Sequence, residues 1–376
     1  MSTELDIYTR KPIVTPSDEH IILNALGGRR THPLIDKVTN DVFGSTIDAA
    51  LASTVNVIRV LLDAKSGDGD SPPAVRRAKS SVGESYNLLP GGKPEAASAR
   101  LKLEELPGGG MQLSGHARSM AELRRLARRT MEQHGVPLHA LEAGSRTVES
   151  KAPRLQVDCS FHADSWRALA KMACNLLALE RRELFLDEAF DDVRRFVLAG
   201  GDPWQFVAFN TTPIDIGASP SSSMGELDHL LVVRGEHATG EIRALVVLFA
   251  HLQFVVRLGV ARFDESFMMA HRVDQLGRRE RHNDDAEAGI SVPPFVPLRQ
   301  IGQAAWFDTS EVAMNKILPV AMAAVDRRTL RELVSKSMSE TIGSVQGRAI
   351  TQADISAFAD AVAERYLRAF CSDDDD

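Results

Sequence analysis

Residues 18–44 constrain this chain more than any other stretch. Asp18-Glu19-His20 opens onto the apolar Ile21-Ile22-Leu23, Ala25-Leu26-Gly27-Gly28 breaks the run, and a segment with helical spacing carries Asn40 before Phe43-Gly44. The pattern predicts a strand over Glu19–Leu23, a turn at Gly27–Arg30, and a helix from near Asp36 through Ala52 or beyond. On that helix Val38, Val42, Ile47 and Leu51 fall near one face, and Asp36, Asn40 and Asp41 toward another. A hairpin and helix of this size bury too little surface to stand alone. They must pack on the rest of the chain, and Ile7, Tyr8, Ile35, Val38 and Phe43 are the side chains expected to do it.

The remainder supplies ample material. At 376 residues, with 44% hydrophobic and 25% charged content, the chain suits two or three globular domains. No run of about 18 uncharged apolar residues occurs. The nearest, Ala244–Ala250, is followed at once by His251, Gln253 and Arg257. With no basic-then-apolar leader pattern at the N-terminus, a cytoplasmic protein is expected. The net charge of −7 gives no global polyanion footprint, but it is uneven. Residues 1–150 carry 19 Lys and Arg against 18 Asp and Glu, whereas residues 151–376 carry 25 against 33. A nucleic acid would therefore meet the N-terminal half. Cys159, Cys174 and Cys371 form no C-x-x-C pair, so ordinary packing is expected of them rather than disulfides or zinc.

Composition and periodicity divide the chain into five parts, and the expected class is α+β. Residues 1–64 hold the hairpin and helix. Residues 65–150 hold a linker at Ser66–Pro73, a hairpin around Leu106–Gly110 and a basic helix. Residues 151–300 form an α+β domain with an antiparallel sheet, 301–370 a helical region, and 371–376 an acidic tail. The third part opens with a strand at Leu155–Cys159 and an amphipathic helix through Trp166, Leu169, Ala173 and Leu176. A short helix at Phe190–Val197 and strands at Phe206–Asn210, Leu230–Arg234, Ile242–Phe249 and Leu252–Leu258 follow. The helical region reads as Glu311–Val325, Arg327–Met338 and a last helix opened by the capping pair Thr351 and Asp354. Arg124, Arg125, Arg128 and Arg129 read as a solvated face, with phosphate contact as the alternative. Arg281–Glu287 reads as a solvated loop, and His229, His237 and His251 as surface or core histidines.

Hydrolysing a phosphodiester requires deprotonating a water and neutralising charge on the phosphate and the leaving oxygen. A histidine near its normal pKa can do the first, and one divalent cation with open positions the second. The smallest scaffold puts the base on a strand, and metal ligands on that strand and on a facing helix. Glu19 and His20 are neighbours, so a regular strand points them to opposite sides. A bulge or turn is needed to bring both to one site.

Ser17-Asp18-Glu19-His20-Ile21-Ile22, Ala25-Leu26-Gly27-Gly28 and Asn40-Asp41-Val42-Phe43-Gly44 resemble the HNH endonuclease family. The subgroup is the one marked by D-E-H-I-I-P, A-L-G-G and C-x-x-C-N-N-x-F-G. Arg167–Ala173 and Phe190–Gly200 resemble the helical region that commonly follows that module. The resemblance implies an N-terminal ββα-metal fold and a metal-dependent DNA endonuclease or nickase, with RNA left open. His20 matches the general base, Glu19 the acidic metal ligand, Asn40 the helix residue completing the metal site, and His32 the middle position of the motif. One Mg²⁺ or Mn²⁺ is the implied ion. Arg29 and Arg30 are the implied phosphate contacts, with Arg124, Arg125, Arg128 and Arg129 as weaker ones.

The family's first C-x-x-C falls on Asp6-Ile7-Tyr8-Thr9, and its second on Asp36-Lys37-Val38-Thr39. Its four thiolate positions are thus Asp or Thr, and no structural zinc is expected. Leu23 stands where the family has Pro. Such genes sit typically in bacterial or phage defence or in mobile elements, which implies a defence-system protein as partner, and cutting both strands would need two sites, hence a homodimer or two visits. The alternative is a catalytically inactive HNH-fold protein that binds nucleic acid or joins a complex.

Overall fold

The structure, a computed structural model, describes residues 4–81, 83–107, 111–117, 120–137, 154–157, 159–214, 225, 227–283, 290–297, 300, 302–343 and 349–370. The chain is mixed α+β, 42% helical and 26% strand, with a helical C-terminal region. It divides into two compact units, Met1–Pro72 with Asp158–Met322, and Pro73–Val157 with Ala323–Asp376.

The first unit opens with strands β1 (Pro16–His20) and β2 (Thr31–Asp36), paired antiparallel, and passes directly into helix α1 (Lys37–Thr54) and then α2 (Asn56–Leu62). The turn between the strands depends on its two glycines. Gly27 has φ 85°, and a Cβ on Gly28 would lie 1.8 Å from the carbonyl oxygen of Ile22. Asp36 starts α1 as a cap, its Oδ1 accepting the Val38 amide N–H at 3.0 Å.

The buried stripe of α1 is Phe43, Ile47 and Leu51, four residues apart across a widened turn at Gly44–Asp48. Val38 and Val42 are 72% and 49% exposed, so the expected stripe is corrected in its first half and Val38 takes no part in docking. Ile7, Tyr8, Ile35 and Phe43 are buried as expected.

Helix α3 (Ala163–Glu180) is the centre of this unit. An amphipathic helix was expected, but every residue from Ala168 to Ala178 is buried. The reason is that α3 packs both on β1, β2 and α1 and on a six-stranded sheet. That sheet holds β3 (Val207–Phe209), β4 (His229–Glu236), β5 (Glu241–Leu248), β6 (Leu252–Val260), β7 (Phe267–Asp274) and β8 (Arg279–His282). Its order is β8-β7-β4-β5-β6-β3, antiparallel throughout.

Leu231, Val246 and Phe254 stand in register, and Phe254 meets Trp166 of α3 at 5.7 Å between ring centroids. The opposite face, Leu230, Val232, Leu245, Val247 and Ala270, is covered by Ile290 and Val292. Burial on both faces explains the unbroken apolar runs of β4–β6. Helix α4 (Asp191–Ala199) ends at Gly200.

Strands β7 and β8 were not anticipated, and β8 takes the start of the segment expected to be a loop; Asp284–Glu287 lie outside the described residues. The expected strand Leu155–Cys159 is confined to Leu155–Gln156. The two helices expected at Glu311–Val325 and Arg327–Met338 are one, Gln303–Thr341, continuous through Pro319.

The second unit holds a four-stranded sheet in the order Lys93–Ala96, Ser85–Leu89, Val75–Ser80, Leu155–Gln156, and a hairpin of Arg100–Glu105 with Met111–His116. Its helices include Met120–Gln133 and Gln352–Phe370. The second of these is opened by Asp354, whose Oδ2 accepts the Thr351 amide N–H at 2.8 Å. Gly108–Gly110 and the tail Asp373–Asp376 lie outside the described residues. Among the described residues no single helix is long and apolar enough to cross a membrane.

Candidate functional site

Strand β1 carries both Glu19 and His20. The register runs Pro16↔Asp36, Ser17↔Ile35, then Glu19↔His32 and His20↔Thr31. Between Ser17 and Glu19, two steps of β1 face three of β2, so the bulge places its extra residue in β2 beside Pro33. Beyond it the pairing is regular, with the Ile21 amide N–H on the Arg30 carbonyl at 3.1 Å. A bulge is therefore present, but not at the Glu19–His20 step. Glu19 turns into the unit at 2% exposure, and His20 stays half-buried.

Helix α3 claims the Glu19 carboxylate. Glu19 Oε1 accepts from Lys171 Nζ at 2.5 Å and from Asn175 Nδ2 at 3.1 Å. Lys171 Nζ also donates to Asp48 Oδ2 at 2.7 Å, reaching across to α1. Asn175 Nδ2 donates to the His20 carbonyl at 2.9 Å, and its Oδ1 accepts from the Tyr8 hydroxyl at 2.6 Å. One helical turn thus holds the Glu19 side chain and the His20 backbone together. The sequence carries a signal for this: Lys171 and Asn175 are polar residues four apart within the apolar run Leu169–Ala178.

The charges follow from this packing. Burial pulls the Lys171 ammonium down, but Asp48 and Glu19 outweigh it and hold the pKa above its ordinary value. Burial pushes the Glu19 carboxyl up, with Lys171 opposing. Burial and then the Lys171 charge lower His20, so its ring is neutral near pH 7, the form that accepts a proton. No described residue hydrogen-bonds that ring.

His32 faces Glu19 across the hairpin and is buried. Its Nδ1 accepts the Leu34 amide N–H at 3.2 Å, Nε2 has no partner, and burial pushes the pKa down to about 4. It is neutral near pH 7 and lies buried across the hairpin from Glu19.

Asn40 sits elsewhere on the hairpin. Its Nδ2 donates to Ser17 Oγ at 2.8 Å and to the Asp18 carbonyl at 3.0 Å, tying α1 to the start of the bulge. Glu19 Oε2 and Asn40 Oδ1 each lack a hydrogen bond among the described residues. They are hard oxygen donors, which suits Mg²⁺ or Mn²⁺. Mg²⁺ commonly takes one or two carboxylates and fills its shell with water and phosphate. A larger cluster is not there: no group of three His, Cys, Asp or Glu suited to a metal occurs among the described residues. Glu19 and Asn40 are thus the residues whose oxygens have the chemistry for such an ion, Glu19 from the buried side of β1 and Asn40 from α1.

The four positions matched to knuckle cysteines come together. Asp6 is buried, and its Oδ1 accepts the amide N–H groups of Tyr8 and Thr9, both at 2.9 Å. Its Oδ2 accepts the Asp36 amide N–H and the Thr39 hydroxyl, also both at 2.9 Å.

The arginines divide. The Arg29 guanidinium donates to the Arg278 carbonyl at 2.5 Å, and the Arg29 amide to Glu280 Oε1 at 2.6 Å. The exposed Arg30 guanidinium makes no hydrogen bond or ion pair among the described residues. Arg124, Arg125, Arg128 and Arg129 are exposed on the Met120–Gln133 helix of the second unit, as a solvated face would be. His229 is a satisfied core histidine, accepting the Phe249 amide N–H at 3.2 Å and meeting Gln275 at 3.0 Å. His282 pairs with Glu180 at 2.6 Å, which the expected loop did not foresee. Comparison with protein-family models, curated proteins and solved structures finds no match to this chain.

Proposed function

We propose that this chain is a cytoplasmic HNH-type, metal-dependent DNA endonuclease or nickase, with an N-terminal ββα module set on an α+β domain. The observation that carries the reading is the meeting of Asp6, Thr9, Asp36 and Thr39. The resemblance to the HNH family assigns these residues, from segments some 30 positions apart in the sequence, to the four corners of its zinc knuckle. In the fold they gather about one carboxylate, as corners of a knuckle must. The strand–turn–strand–helix order supports the same module. In this reading His20, neutral and half-buried, takes the proton of water. Asn175 positions its backbone, Glu19 and Asn40 hold Mg²⁺ or Mn²⁺, and Arg30 meets a phosphate.

One observation favours the inactive reading. Lys171 already supplies a positive charge to both Glu19 and Asp48, and Glu19 is shut in behind it. An HNH fold kept for binding nucleic acid or joining a complex would tolerate that. Supercoiled plasmid separates the two, incubated with full-length protein in Mg²⁺, Mn²⁺ or EDTA, beside His20→Ala. The nuclease gives metal-dependent nicking or linearisation that falls by about 10²–10⁴ in the variant, the usual worth of a general base. No cleavage in either metal, together with retention of labelled DNA in a gel shift, establishes the inactive reading.

A further inference from the structure

The family that the hairpin resembles joins its N-terminal loop to the β2–α1 junction with a zinc ion. Here the same two segments are joined by a side chain. We propose that the Asp6 carboxylate is a metal-free replacement for that zinc, a clasp that holds the ββα module closed without any cation.

The donor set decides against a metal. A carboxylate has about four lone-pair sites. Those of Asp6 are spent on four donors, the amides of Tyr8, Thr9 and Asp36 and the hydroxyl of Thr39. A cation at this point would have to displace all four. Asp36 is committed as well: its Oδ2 accepts the Val14 and Thr15 amides at 2.8 and 3.0 Å, and its Oδ1 caps α1. Thr9 Oγ1 accepts the Lys11 amide N–H at 3.4 Å. Asp6 thus has no lone-pair site left for a cation, and the Asp36 carboxylate and the Thr9 hydroxyl are already engaged by backbone amides.

The same geometry explains how an anion is tolerated here. A buried carboxylate is costly unless it is fully hydrogen-bonded. Asp6 lies among amides from the loop and from the N-cap residue of α1, beside the Thr39 hydroxyl of its first turn, where donor groups favour negative charge. Zinc ties thiolates through a positive centre; Asp6 ties N–H and O–H donors through a negative one. The polarity of the joint is reversed and its position kept.

This proposal rests on the module reading above but not on catalysis, so a silent plasmid assay leaves it standing. The test has three arms on the full-length chain. Thermal melting of the wild type, in buffer free of Mg²⁺ and Mn²⁺, is expected to be unchanged by EDTA or by added Zn²⁺. Asp6→Asn, which turns one acceptor into a donor facing donors, is expected to lower the midpoint by about 5–10 °C. The combined variant Asp6→Cys, Thr9→Cys, Asp36→Cys and Thr39→Cys is expected to bind one Co²⁺ with the absorption of a tetrahedral thiolate site, and to release it to Zn²⁺. A wild-type midpoint that falls on chelation overturns the proposal. So does an Asp6→Asn midpoint equal to wild type, or a folded four-cysteine variant without that spectrum. Should that variant not fold, the first two arms decide.

Discussion

Lys171 offers the sharpest test of how this unit is held together. Its ammonium is fully buried, 2.5 Å from Glu19 and 2.7 Å from Asp48. Lys171→Met keeps most of the side chain's length and removes the ammonium with its two hydrogen bonds, leaving two carboxylates without a cation. Breaking a buried pair by deleting one partner costs about 3–5 kcal/mol. For a unit of this size that lowers the melting midpoint by about 6–20 °C. The control is Lys37→Met, which removes an exposed pair with Asp41 on α1 and costs only about 0.3–0.5 kcal/mol.

The pH dependence has a fixed sign. In the wild type Lys171 is raised above its ordinary 10.5, so its contribution is present below that pH and is lost as pH rises through the folded value. In the variant, Glu19 is raised still further above its ordinary 4.5, so the native state takes up a proton as pH falls. The difference between variant and wild type should therefore be largest at neutral pH and shrink toward pH 4.5. Adding Glu19→Gln should recover part of the loss. A Lys171→Met melt matching that of Lys37→Met at pH 7, or a gap that widens in acid, refutes the reasoning.

Two further outcomes follow from burial. His32 and His229 have pKa values near 4 in the fold against an ordinary 6.5, so the unfolded chain protonates first as pH falls. Each should cost about 3 kcal/mol between pH 6.5 and 4, with no further loss below. Urea midpoints at pH 7 and 4.5 measure this, and His229→Gln should flatten the slope; an unchanged slope counts against it. On α1, Phe43→Ala should cost about 3–5 kcal/mol and Val42→Ser less than about 0.5, reversing what the two would share on one apolar stripe. Equal losses by denaturant melts would mean that the buried face has been misplaced.

The sequence disclosed the hairpin and helix through residues with local duties. Gly27 and Gly28 are required by backbone geometry at the turn, and Asp36 by the open amides of α1. Such duties act within a few residues, so spacing reveals them. The face of α1 was half legible, because the widened turn at Gly44–Asp48 changes which residues stack, and a constant period averages over it. Strand β7 was hidden by His271 and Arg272, polar side chains that look solvated until Asp228 is brought to Arg272 by the fold. The Glu19 partners were the least legible. Lys171 and Asn175 lie more than 150 residues downstream, and nothing near them in sequence requires a lysine in an apolar helix.

That lysine is explained only by a carboxylate arriving from another part of the chain. The argument also runs backwards. A buried lysine spaced four from an asparagine, in the otherwise apolar stretch Ala168–Ala178, predicts that a carboxylate and a backbone carbonyl will be delivered to it. Glu19 and His20 are the pair delivered. Helix α3 is therefore half of the candidate site rather than its support, and residues 1–64 alone should not reproduce whatever the full chain does.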